Sequence, residues 1–172
     1  YLEDLLSSFS NKGVRYHIDE RQKMSPGFKF NEWEMKGVPI RIEVGPKDME
    51  KNSIFVARRD TNEKIPFKIS EASKEISFLL DSIQSNLFKS AENFRDSNTY
   101  SCTTYDEFKA LVEKGGFIRC GWDGSNKTED RIKKETKATI RCIPFDQKNA
   151  DQLKCVYTGK SAKYEVIFSK AY

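Results

Sequence analysis

The sequence predicts an α/β unit with a mixed sheet and helices on its faces, followed by a small α+β unit. Three observations predict this. Across residues 1–97 the hydrophobic period switches between 3.6 and 2 in the order helix, strand, helix, strand, strand, strand, helix. The polar stretch NFRDSN at residues 93–98 then marks a boundary. Beyond it a second set of helices and strands begins, and 172 residues suffice for two small cores.

The elements follow in order. Leu2, Leu5, Leu6 and Phe9 recur at helical spacing, and Gly13 stops that helix. VRYHID alternates apolar and polar residues and reads as a strand. Ser25 supplies an N-cap and Pro26 the first position of a short helix that runs to about Lys36 and ends at Gly37. VPIRIEVG alternates again, with Val38, Ile40, Ile42 and Val44 on one face and Arg41 and Glu43 on the other. SIFVARR and KIPFKI are two further strands joined by the turn DTNEK. Ser70 opens a long helix whose apolar stripe comprises Ala72, Ile76, Leu79, Leu80, Ile83, Leu87 and Ala91. In the second unit Thr104 and Glu107 form a capping box, and Gly115-Gly116 ends the helix they start. FIRCGW is a strand, EDRIKKETK a charged helix and ATIRCIPF another strand; LKCVY and KYEVIF form a closing antiparallel pair across Thr158-Gly159-Lys160.

Composition narrows the function classes. No apolar run approaches the ~20 residues of a membrane helix, and the amphipathic, acidic opening YLEDLLSSFS is not a secretion signal. A first residue of Tyr rather than Met marks the chain as a piece of a longer polypeptide. Cysteines at 102, 120, 142 and 155 contain no C-x-x-C pair, and Cys120 and Cys142 lie in apolar runs. Buried free thiols in a reducing, cytoplasmic setting are the expectation. Residues 1–97 balance 16 Lys+Arg against 16 Asp+Glu, whereas residues 115–172 carry 12 against 7. That excess suits a polyanion such as RNA, and equally an ordinary solvated surface.

An enzymatic reading finds no support. His17, the single histidine, falls on the polar face of VRYHID with Arg15 and Asp19, and no nucleophile elbow, P-loop or dinucleotide fingerprint is present. The segment SPGFKFNEWE differs, because it interleaves Phe28, Phe30 and Trp33 with Lys29, Glu32 and Glu34 on one short helix. Residues four apart share a face, so Phe28 stands beside Glu32 and Lys29 beside Trp33. A ring beside a carboxylate can read guanine: the ring stacks on the base and the carboxylate accepts the N–H donors of its pairing edge. Cations could then address O6 and N7, and Arg41 and Arg58-Arg59 are available at strand positions. The alternative is that Phe30 and Trp33 are core and the charges face solvent.

SPGFKFNEWEMKGVPIRIEVGPKD closely resembles the signature of the anticodon-binding domain of prolyl-tRNA synthetases over more than twenty consecutive positions. EDRIKKETKATIRCIPFDQ and KYEVIFSKAY look like the C-terminal domain of the archaeal/eukaryotic-type enzymes, so the resemblance covers nearly the whole chain. It implies an anticodon-binding domain at 1–97, lacking its first strand, and a C-terminal domain at 98–172. The parent would be a cytoplasmic class II ligase, generally a homodimer, using ATP and Mg to form prolyl-adenylate and charge tRNA(Pro). This piece would lack the catalytic core and be inactive alone. The resemblance implies Phe28, Lys29 and Glu32 as readers of the two invariant guanines of proline anticodons. Arg41 and Arg58 match in position and chemistry, and Trp33 is either core or platform. The runner-up is a free-standing paralogue serving as a protein-interaction module.

The resemblance also exposes a departure. Many relatives hold zinc with four cysteines in a form like W-C-G-x-x-x-C-E-D paired with K-C-V-x-C-G-K. Here those positions read Asp123, Thr128, Cys155 and Thr158. One thiolate cannot close a structural zinc site, so no metal is expected and hydrogen bonds must hold that corner. By the same analogy the terminal Tyr172 would approach the catalytic domain.

Overall fold

The computed structural model describes residues 1–147 and 150–171. The chain divides into two compact units, Tyr1–Ser90 and Ala91–Tyr172. Tyr172 itself, with the contact expected of it, lies outside the described residues.

In the first unit α1 (Glu3–Asn11) buries Leu5 and Phe9, as its spacing requires. α2 (Pro26–Met35) starts where Ser25 Oγ accepts the N–H of Phe28 at 3.3 Å, with proline at the first helical position. The strands β1 (Ile40–Glu43), β2 (Ser53–Arg58) and β3 (Lys64–Lys68) pair antiparallel in the order β1-β2-β3. Between β1 and β2 lies a helical turn, α3 (Pro46–Glu50), started by Gly45-Pro46; the Asp48 carboxylate accepts the Gly45 N–H at 2.8 Å. The alternation of VPIRIEVG extends a strand to Gly45 and gives no sign of this turn.

α4 (Ile69–Ser97) buries Ala72, Ile76 and Ile83. The first two join Leu5, Phe9, Ile54 and Val56 in one core. The expected stripe ends early: Leu87 is 39% exposed and Ala91 is exposed too. The reason is length. Twenty-nine helical residues span about 44 Å, whereas the six residues of β2 span about 20 Å, so the sheet covers only part of the helix. The predicted strand VRYHID is not a strand either, since residues 14–20 carry no ladder pairing. Alternation says which side chains share a face, but a strand also needs a neighbour to receive its N–H and C=O groups. This segment is held by side chains instead, as described below.

In the second unit β4 (Thr99–Ser101) pairs parallel with β5 (Phe117–Trp122), and the sheet order is β4-β5-β7-β6, with β6 (Ala138–Cys142) and β7 (Tyr164–Lys170) antiparallel to their neighbours. α5 (Tyr105–Lys114) has the anticipated capping box. α6 (Asn126–Thr136) starts one turn earlier than its charged run suggests. Phe108, Val112, Ile118, Cys120, Ile132, Val166 and Phe168 form the core, with Phe108 and Phe168 edge-to-face at 5.2 Å.

LKCVY is not a strand partner of KYEVIF: it makes only isolated bridges, Gly121↔Cys155 and Lys154↔Ser161, while β7 pairs with β5 and β6. The close approach is possible because residue 121 is glycine; a Cβ there would stand 2.4 Å from the Lys154 carbonyl oxygen. Cys142 is exposed rather than buried. It ends an edge strand just past a register shift between Ile140 and Cys142, which breaks the alternation that would have turned it inward. Cys102, Cys120 and Cys155 are buried free thiols, as expected.

Candidate nucleic-acid interface

α2 carries Phe28, Lys29, Glu32 and Trp33 on a scaffold built by charge pairing, while Arg41 and Arg58 lie on β1 and β2. Arg41 on β1 donates to Glu34 of α2 and, at 3.0 Å, to Glu43, and its guanidinium lies 3.9 Å above the Phe30 ring. Phe30 and Arg41 thus dock the helix on the strand, and Arg41 is already engaged. Arg58 is engaged as well. It donates from Nε and Nη2 to both oxygens of Asp60 at 3.0 and 2.8 Å, and Asn86 of α4 donates to the same carboxylate at 2.8 Å. The Asp60 side chain is 1% exposed, and the Arg58 partnership holds its carboxyl down at about 2.

Phe28 and Glu32 stand one helical turn apart. Phe28 is 53% exposed, which leaves its side chain accessible for stacking. Glu32 accepts from Arg21 Nη2 at Oε2 and from Lys36 Nζ at Oε1, each at 2.7 Å. These two cations, Lys36 first, hold its carboxyl below the usual carboxylate range, so the group stays ionised. Each oxygen keeps a further lone pair for an incoming donor.

The segment between α1 and α2 supplies what sequence reasoning missed. Asp19 accepts from Arg21 Nε and Nη2 at 2.9 and 2.7 Å and from the Trp33 indole N–H at 2.9 Å. These bonds, Arg21 first and Trp33 second, hold the Asp19 carboxyl far below its ordinary value. Lys29 Nζ donates to the Asp19 carbonyl at 3.1 Å and lies 3.6 Å from its carboxylate. His17 is exposed, as its place on the polar face of VRYHID suggests, and it packs on the Trp33 ring at a centroid distance of 4.5 Å; Lys36 Nζ lies 4.3 Å from the same ring. Trp33 is therefore part of the frame. The sequence offers only a general clue, that a half-buried indole N–H needs an acceptor; nothing in its spacing singles out Asp19, 14 residues away, as that acceptor.

The corner of the second unit where the resemblance expects zinc has a different chemistry. The Asp123 carboxylate accepts the Ser125 N–H at 3.0 Å, the Thr128 hydroxyl at 2.9 Å and the Thr158 hydroxyl at 3.4 Å. Cys155 is buried beside β5. A donor set of one thiol, one carboxylate and two hydroxyls already spent on that carboxylate does not fit zinc. Among the described residues no group of three or more His, Cys, Asp or Glu side chains could hold a metal ion, and no helix is long and apolar enough to cross a membrane.

Taken together, these features define an α/β unit that presents an exposed aromatic ring beside an ionised carboxylate, followed by a small α+β unit. Residues 1–79 match the family model described as Anticodon binding domain, and residues 105–172 that of Prolyl-tRNA synthetase, C-terminal. The chain belongs to the prolyl-tRNA synthetase family. It is 49% identical over 162 residues to a proline–tRNA ligase of Roseiflexus sp. (strain RS-1), covering 92% of this chain and 33% of the relative. Proline–tRNA ligase 2 of Clostridioides difficile (strain 630) is 46% identical over 172 residues, 99% of this chain and 36% of its own length. A proline–tRNA ligase of Porphyromonas gingivalis (strain ATCC 33277) is 44% identical over 170 residues, 98% and 34%. The chain thus spans about a third of the length of the curated relatives it matches.

Proposed function

We propose that this chain is the tRNA-reading part of a proline–tRNA ligase. The parent attaches proline to tRNA(Pro) through an ATP-derived prolyl-adenylate, with Mg and as a cytoplasmic homodimer; the chain itself carries no catalytic site and no zinc. The observation that carries the reading is the exposed Phe28 ring one turn from Glu32, a carboxylate kept ionised between Arg21 and Lys36. Phe28 stacks on an anticodon guanine, and Glu32 accepts its N1–H and N2–H donors. Lys29 and Trp33 hold the helix against the preceding segment through Asp19. Arg41 and Arg58, each committed to carboxylates, support the surface from β1 and from the end of β2.

The test is equilibrium binding of the chain to a proline anticodon stem-loop and to loops with each guanine replaced by adenine. Glu32→Ala is expected to weaken binding about ten- to a hundredfold and to relax the preference for guanine at one position. Equal affinity of the unaltered chain for guanine and adenine loops would refute the reading.

A further inference from the structure

The cations nearest the Glu32 carboxylate are not those that strand positions suggested. Arg41 is held by Glu34 and Glu43 and Arg58 by Asp60, whereas Arg21 and Lys36 each stand 2.7 Å from a Glu32 oxygen. The two differ in how firmly they are placed. Lys36, with a side chain 52% exposed on a flexible stem, makes one ion pair among the described residues, with Glu32. Arg21 is clamped. Its Nε and Nη2 grip both oxygens of Asp19, and Nη2 also reaches Glu32. Asp19 is fixed in turn by the Trp33 indole. With Nε–H and both Nη2–H groups used, the two Nη1–H donors have no hydrogen-bond partner among the described residues, and the side chain is 40% exposed.

Guanine's pairing edge presents, in order, the N2 amine, N1–H and O6: two donors beside an acceptor. A carboxylate answers the donors, but the acceptor requires a donor adjacent to the carboxylate. From this geometry we infer that Arg21 is a specificity-determining residue, donating through Nη1 to O6 of the guanine whose N1–H and N2–H Glu32 accepts, with Asp19 as its positioning residue. The inference rests on the Glu32 reading proposed above. It makes rejection of adenine two-sided, because adenine offers an acceptor where Glu32 needs N1–H and a donor where Arg21 needs O6.

Atom-level probes separate the two residues. 6-Thioguanine weakens the acceptor at position 6 and keeps N1–H and the 2-amine, whereas inosine keeps O6 and N1–H and lacks the 2-amine. Affinities of the 172-residue chain would be measured for proline anticodon stem-loops carrying each analogue at each guanine in turn. At one position the unaltered chain is expected to prefer guanine about tenfold over each analogue. Arg21→Ala removes the preference over 6-thioguanine and keeps that over inosine; Glu32→Gln removes the preference over inosine. Asp19→Asn reduces the preference over 6-thioguanine, a readout that a merely structural role would leave unchanged. An unaltered chain blind to 6-thioguanine overturns the inference without any variant having to fold. So does an Arg21→Ala chain that keeps the preference, or a Lys36→Ala chain that loses it. Blindness to inosine at both positions brings down the Glu32 reading itself, whereas inosine discrimination lost in Glu32→Gln alongside thio discrimination kept in Arg21→Ala sinks only the Arg21 assignment.

Discussion

At the scale of single residues, a charge is defined by its partner. Arg58 looks from the sequence like a free cation at a strand end, but Asp60, 1% exposed, takes two of its donors and Asn86 takes the same carboxylate from α4. Asp60→Asn would leave Arg58 without its hydrogen-bonded countercharge, at a cost of about 3 kcal/mol in urea unfolding. A pH dependence accompanies this. The Asp60 carboxyl is held at about 2 in the folded chain, below its unfolded value of about 4. Its contribution is therefore full above pH ~4 and lost as pH falls from about 4 to about 2. Asp60→Asn should flatten that part of the stability profile, and an unaltered slope would show that the pair does not carry it. Phe28 and Glu32 were legible because their relation is local, four residues apart on one helix. Asp19 and Arg21 were not, because their bonds to Trp33 and Glu32 close over 14 and 11 residues along a path that no period encodes.

Elements were legible where a local signal stops or starts the chain. Ser25 and Thr104 cap α2 and α5 through side-chain bonds to N–H groups three residues on. Elements that depend on neighbours were not: VRYHID and LKCVY have strand-like composition and no complete ladder. The Asp123 corner belongs to this scale, since one carboxylate ties the end of β5 to α6 and to the turn carrying Thr158. Asp123→Ala would strand the buried Thr128 hydroxyl, costing about 1–3 kcal/mol. For a unit of this size that lowers the melting temperature by roughly 5–15 °C. Metal chelators should leave the unaltered chain's melting temperature where it was. A fall on adding chelator, or one zinc per chain by elemental analysis, would mean that a metal and not Asp123 closes the corner.

At the scale of the whole molecule the net charge of +4 is unevenly spread, with the excess in residues 115–172. The proposed reading surface lies in the balanced part, and its cations are matched by acids: Arg21 and Lys29 by Asp19, Lys36 by Glu32, Arg41 by Glu34 and Glu43, Arg58 by Asp60. A surface so neutralised releases few counterions from RNA, because a cation already held by a carboxylate gains little from a phosphate. For a single-stranded loop the logarithm of affinity falls with the logarithm of salt at about 0.7 per phosphate neutralised. With two or three phosphates met, the slope for the anticodon stem-loop should be shallow, about −1.5 to −2. A slope several times steeper, reduced by charge-removing substitutions at Lys133, Lys134 and Lys137, would assign the binding to the basic second unit. The same loops with guanine replaced would then bind as well as the original, because phosphate contacts carry no base identity. A shallow slope combined with strong guanine preference is the signature of reading by Phe28, Glu32 and their frame.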